Sequence, residues 1–198
     1  LSTPMPIAAR LPALEHWKAQ VKCQAGCPVA TDAGRYVQLI AEGRDGGAVL
    51  VARAPNPFAS VCGRLCAAPC EDACRRGSID GPITIRALKR TVTERHGVES
   101  MHPDTQDRLR GALVTEGNRY AGHLPTEPLA AGGREGRRKV AVIGAGPAGL
   151  SAAHDLALLG YAETVFEAAE EPGGMMRFGI PEYRLPRTII RAEIDKIL

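Results

Sequence analysis

The chain has 198 residues, enough for one large domain or two small ones, and a hydrophobic share of 44%, ordinary for a globular protein. A net charge of +3 with acids and bases interspersed, and only 4% aromatic residues, argue against nucleic acid as a partner. No apolar run reaches the roughly 18 residues a bilayer span requires, so membrane insertion is not expected.

Residues 1–20 are punctuated by proline and read as an arm, with Leu11, Leu14 and Trp17 at the spacing of one short helical turn. No signal peptide is legible, because no long apolar region follows Met5. The expected compartment is a reducing cytoplasm, where clustered cysteines more often bind metal or do redox chemistry than form disulfides. The chain opens on Leu1 and closes at Leu198 within a helix-like stretch, which reads as a piece of something longer.

Residues 21–100 have a helical, loop-rich pattern. Thr31 or Asp32 can cap a helix with Tyr36, Val37 and Ile40 on its apolar face, ending near Gly43. A second helix is expected over Gly47–Arg53, stopped by Pro55 and Pro57. Pro82 suits the first position of a third, whose buried face would be Ile85, Leu88 and Val92. Arg86, Lys89, Arg90 and Arg95 then fall on other faces, either solvated or touching an anionic cofactor.

Six cysteines lie in this region in two groups, Cys23-x3-Cys27-Pro28 and Cys62-x3-Cys66-x3-Cys70-x3-Cys74. A [4Fe-4S] cluster draws four thiolates from a flexible Gly- and Pro-containing backbone, and Cys27-Pro28 has the form found in ferredoxin loops. Gly63 and Pro69 argue against one unbroken helix through the second group, so the segment is expected to fold around its metal. Structural zinc usually uses CxxC pairs, which are lacking here. Zinc and disulfides remain the alternatives. Six thiols suffice for one all-cysteine cluster with two left over.

Residues 101–137 show little periodicity and end in the Gly- and Arg-rich run Ala130–Arg138, the pattern of a surface linker. From 138 to 198 the period changes. Lys139–Ile143 reads as a buried strand, Pro147–Leu159 as a helix and Glu163–Phe166 as a second strand, a βαβ unit. Between the first strand and the helix stands Gly144-Ala-Gly146-Pro147-Ala148-Gly149, the GxGxxG fingerprint. Its glycines permit a tight turn, backbone approach to a pyrophosphate, and close helix–strand packing. Glu167, 23 residues after Gly144, is placed to accept hydrogen bonds from a ribose.

The fingerprint alone does not distinguish FAD from NAD. The segment Gly173-Gly174-Met175-Met176-Arg177 adds a second glycine pair, which allows backbone approach to a longer cofactor and favours FAD. Arg177 and Arg184 face either such a cofactor, a cluster or solvent. The five histidines are scattered, and no catalytic side chain is expected.

These motifs together resemble the small (β) subunit family of glutamate synthase and its relatives, including the N-terminal part of dihydropyrimidine dehydrogenase. The resemblance rests on Cys23-x3-Cys27-Pro, Asn56-Pro-Phe, Cys62-Gly-Arg-x-Cys66, Pro69-Cys70-Glu-x-x-Cys74, Ile85–Arg90, Val140–Leu150 and Gly173–Pro186. It implies an α plus α/β fold, a helical iron–sulfur domain followed by the start of a Rossmann-like FAD-binding domain. It further implies hydride transfer from NAD(P)H to FAD and one-electron exit through clusters toward a partner redox subunit.

By this resemblance Cys27, Cys66 and Cys70 are ligands of one cluster. The family's fourth ligand to that cluster, at times not a cysteine, falls near Lys89, which does not serve easily, so Cys62 or Cys74 is the candidate. Better-known members carry a further CxxC ahead of Cys23 for a second cluster, and none is present here, so one cluster is expected. The NAD(P)H site implied by the family falls outside this chain. Two other functions stay open: an electron-relay or docking subunit whose flavin chemistry is completed by another chain, and a zinc-stabilised adaptor.

Overall fold

In the computed structural model, residues 12–13, 16, 19–100 and 138–198 are described. The turn expected at Leu11, Leu14 and Trp17 and the linker expected over 101–137 lie outside those residues.

Glycine and proline divide the cysteine-rich half into short helices: α1 Lys22–Ala25, α2 Ala33–Ala41, α3 Asp45–Arg53, α4 Ala59–Leu65, α5 Pro69–Asp72 and α6 Ile85–His96, with a 3₁₀ turn at Arg75–Ser78. Asp32 caps α2, its Oδ1 accepting the Arg35 N–H at 2.9 Å. The fully buried face of α2 is Ala33, Tyr36 and Leu39, while Val37 and Ile40 flank it. Helix α3 starts two residues before the expected Gly47, with Asp45 in its first turn complementing the helix dipole.

Gly63 sits inside α4, which ends at Leu65, and beyond Cys66 the residue Ala68 takes a left-handed conformation (φ 60°) ahead of Pro69. Pro82 does not begin a helix. Residues 81–84 are irregular and α6 starts at Ile85. The face of α6 is also turned from the expected one: Ile85, Lys89, Val92 and Thr93 are buried, and Leu88 is only partly so.

In the second half, β1 (Lys139–Ile143) and β2 (Ala162–Phe166) pair in parallel, Val142 opposite Val165, with α7 (Pro147–Leu158) connecting them. Helices α8 (Met175–Phe178) and α9 (Arg187–Ile197) follow. The first strand is not the buried strand its sequence suggests. Only Val142 is buried, and Ile143 is 81% exposed. Among the described residues β1 has a single partner strand, so much of the sheet lacks the covering that its apolar residues would suit.

Helix α9 joins the halves. Its Ile189, Ile190, Ile194 and Ile197 share a core with Phe58 and Val61 on one side and Val142, Leu150 and Met176 on the other. Full burial of each such isoleucine is worth about 1.5–3 kcal/mol relative to exposure. Within that core, Glu193 forms an ion pair with Arg53 and accepts the Ser60 N–H at 2.7 Å.

Candidate metal centre and dinucleotide site

The loop after α1 carries Cys27 and packs on α5, which carries Cys70. A Cβ at Gly26 would lie 3.0 Å from Ala73 Cβ and 3.2 Å from the Pro69 carbonyl. Cys66 lies at the break between α4 and α5. Its Sγ accepts the Ala68 N–H at 3.3 Å, and its carbonyl accepts from Arg86 Nη1 at 2.6 Å. Arg86 is tied in turn to α5, because its backbone N–H donates to Glu71 Oε1 at 2.7 Å. One residue at the start of α6 thus holds both Cys66 and the turn bearing Cys70.

Electrostatics shows which thiols lie together. Burial pushes the Cys70 thiol up and the Cys66 thiolate pushes it further, with Cys27 adding to this and Lys89 opposing it. Burial also raises Cys27, but hydrogen bonds from the Thr31 side chain and from the Thr31 and Val29 backbone outweigh it and hold that thiol below its usual value. Thr31 Oγ1 lies 3.6 Å from Cys27 Sγ. Burial raises Cys62 as well, against a 3.1 Å hydrogen bond from Asn56 Nδ2, with Lys89 and Cys66 within its field. Cys23 and Cys70 both pack against the core that holds Ala33, Tyr36 and Leu39, and Cys23, like Cys27 and Cys70, adds to the field that, after burial, keeps the Tyr36 phenol protonated. Cys74 follows α5, and its charge reaches Arg76.

All six cysteines are free thiols, which leaves the disulfide alternative without support. Among the described residues no three His, Cys, Asp or Glu side chains converge closely enough for a single metal ion. The amide and hydroxyl groups at Cys27, Cys62 and Cys66 would serve the sulfurs of an iron–sulfur cluster as hydrogen-bonding partners.

The second site surrounds the N-terminus of α7. Gly146 stands at its N-cap with no side chain capping it, and Pro147 and Ala148 begin the first turn, so backbone N–H groups remain for an anion. A Cβ on Gly149 would lie 1.9 Å from the Gly144 carbonyl oxygen, so the helix can approach the strand only with glycine there. The Gly173-Gly174 pair lies against this turn. Gly173 N–H donates to the Ala145 carbonyl at 2.8 Å, and a Cβ on Gly174 would fall 2.8 Å from Gly146 Cα.

Glu167 braces the same turn, which its sequence offset did not reveal. Its Oε2 accepts the Ala145 N–H at 2.7 Å and its Oε1 the Ala169 N–H at 2.8 Å. The bond from Ala169, then that from Ala145, keeps this exposed carboxyl below the usual carboxylate range. Met175 is exposed beside the turn, and Arg177 sits 3.6 Å from Glu171. His154 is buried in α7, its Nδ1 3.0 Å from Asp155, a packed position within the helix.

The residue of this region that sequence patterning misplaces is Lys89, read as lying off the buried face of α6. Lys89 is buried with its Nζ 5.6 Å from the centre of the Tyr36 ring. Its spacing of four from Ile85 was the available signal.

Residues 18–101 match the family model described as dihydropyrimidine dehydrogenase domain II, 4Fe-4S cluster, and residues 142–186 match an NAD(P)-binding Rossmann-like domain. The chain is 42% identical over 181 residues to the NADP(+)-dependent formate dehydrogenase subunit beta of Moorella thermoacetica, covering 88% of this chain and 24% of that protein. It is 35% identical to the NADPH-Fe(3+) oxidoreductase subunit beta of Geobacter sulfurreducens, over 91% of this chain and 23% of the relative. With the glutamate synthase [NADPH] small chain of Mycobacterium tuberculosis the identity is 31%, over 88% and 31%. The chain therefore spans about a quarter to a third of these curated relatives. Both domain matches fall in the same order as the two sites, so the chain is a 4Fe-4S domain followed by a Rossmann-like dinucleotide-binding segment, similar to part of the glutamate synthase small chain and of the oxidoreductase beta subunits.

Proposed function

We propose that this chain is the electron-transfer segment of an NAD(P)H-dependent FAD and iron–sulfur oxidoreductase subunit that works with a redox partner. Residues 21–100 hold one [4Fe-4S] cluster through Cys27, Cys66 and Cys70. Cys62 is favoured over Cys74 as the fourth ligand, because the fields of Cys66 and Lys89 reach it. Residues 138–198 hold the adenosine and pyrophosphate of FAD.

When bound, these groups supply hydride acceptance and single-electron transfer. The chain's own residues supply placement. Arg86, Glu71 and the Ala68 N–H fix the cysteine loop. The uncapped end of α7 and the apposed Gly146 and Gly174 leave an open backbone surface for a pyrophosphate. Glu167 keeps an exposed carboxylate at the ribose position. No catalytic side chain is required.

The observation that carries this proposal is the joining of both sites by α9, whose isoleucines pack against the α4 segment of the cysteine half and against the βαβ unit. Two cofactors held on one rigid core keep a fixed separation, which electron exchange needs. A second reading, in which the βαβ unit takes NAD(P) directly, is favoured by the description of its matching family. Anaerobic reconstitution followed by titration with FAD and with NADPH separates the two. Retained flavin absorbance beside a broad iron–sulfur band supports the proposal. Tight NADPH binding without flavin retention supports the second reading.

A further inference from the structure

Burial of an ammonium is costly without an opposite charge, and Lys89 is only 9% exposed. Its neighbours on α6 have partners: Arg86 is bonded to the Cys66 carbonyl, and Arg90 pairs with Glu94 at 2.7 Å. Among the described residues no carboxylate forms an ion pair with Lys89. Its nearest defined contact is the face of Tyr36, whose hydroxyl donates to the Ile85 carbonyl at 3.3 Å and so fixes the ring on α6. A cation–π contact compensates only part of the lost hydration.

The groups around Lys89 able to carry negative charge are chiefly sulfurs. Helix α6 presses against α4 so closely that a Cβ on Gly63 would lie 2.9 Å from Arg90 Cα, one residue from Cys62 on α4 and one from Lys89 on α6. On the other side α2 carries Tyr36 and α5 carries Cys70. The field of Lys89 reaches Cys27, Cys62 and Cys70 together, with Glu71 and Glu193 as the carboxylates in the same surroundings.

We infer that Lys89 is the fixed counter-charge of the cysteine-bound cluster, a positioning residue that raises the cluster's reduction potential without ligating it. The inference rests on the cluster proposed above. An ammonium has three donors and no lone pair, so it offers N–H groups to sulfur while remaining outside the coordination sphere. A cluster gains one negative charge when it accepts an electron, and a buried cation favours that more negative form. The neutral Tyr36 ring beneath the ammonium does not cancel the effect.

The test is an anaerobic redox titration of the cluster-loaded chain, followed by EPR, with iron and sulfide measured on each sample. Lys89→Met and Lys89→Gln are expected to keep the cluster and to lower its midpoint. The shift should reach about tenfold in the oxidised-to-reduced ratio at fixed potential, about 59 mV for one electron. Lys89→Arg, which keeps the charge, should stay near the parent value. Iron-loaded neutral variants with an unmoved midpoint would overturn the role of Lys89 alone. Loss of iron from both neutral variants would also overturn it, because Lys89 would then belong to the binding set. A parent chain that takes up no iron would instead overturn the cluster itself, and this inference with it.

Discussion

Arg53 and Glu193, separated by 140 positions in the chain, form an ion pair whose side chains are 1% and 0% exposed. The pair joins the end of α3 to the middle of α9, and the second oxygen of Glu193 is held by the Ser60 N–H at the start of α4. Arg53 Nε and Nη2 are buried beside it without hydrogen-bond partners in the described structure. The contact is a polar clamp inside an otherwise apolar junction.

Removing one member of such a pair leaves a buried charge uncompensated. Arg53→Met or Glu193→Gln alone is therefore expected to lower stability by about 3–5 kcal/mol, while a double change to apolar residues of similar volume should cost far less. Urea unfolding of the single and double variants measures this. Equal, additive losses would contradict the clamp.

Cys27→Ser, Cys66→Ser or Cys70→Ser should each strip iron and loosen residues 22–100, since a small domain of short helices relies on its metal for stability. Cys23→Ser should matter less. Iron content and hydrogen exchange across α2, α4 and α6 report the outcome, and a Cys27→Ser chain that keeps its iron while Cys23→Ser loses it would reverse the ligand assignment.

The glycines of the fingerprint should separate into two kinds. Gly149→Ala forces a methyl against the Gly144 carbonyl, so it is expected to destabilise the fold, by about 1–3 kcal/mol. Gly146→Val meets no described atom of the chain nearer its Cβ than Gly174 Cα at 3.9 Å, so it should fold and yet lose dinucleotide affinity. Thermal melting with and without FAD distinguishes the two effects. A Gly146→Val chain that binds FAD normally would move the pyrophosphate away from this turn.

Glu167 gives a pH signature. Its folded carboxyl is depressed by the Ala169 and Ala145 N–H groups, so its stabilising contribution is present at neutral pH and is lost as pH falls through the acidic range below the usual carboxylate value. Melting temperatures of the parent and Glu167→Gln chains should differ near pH 7 and converge in acid. A gap that is constant with pH would show that the carboxylate charge is not what braces the turn.

Local signals were legible in the sequence wherever the interaction itself is local. Asp32 caps α2 by accepting the N–H of Arg35, three residues on, and the Gly144–Gly149 spacing predicts a strand-to-helix turn. Patterning places Lys89 off the buried face because it reads Ile85, Leu88 and Val92 as that face, and the burial of Lys89 against Tyr36 depends on a contact with another segment. The strand Lys139–Ile143 is apolar because it suits a more fully covered sheet than the described residues provide. Arg53 and Glu193 carry no pattern at all, since a contact over 140 positions leaves no periodicity.

The most direct test of the account is anaerobic iron and acid-labile sulfide analysis of the reconstituted chain, read with its visible spectrum. One cluster held by Cys27, Cys66, Cys70 and a fourth ligand predicts about four irons and about four sulfides per chain, with broad absorbance near 400 nm. About eight of each would require a second cluster, for which six cysteines supply too few thiolates, and stoichiometric zinc without sulfide would contradict the electron-transfer function itself.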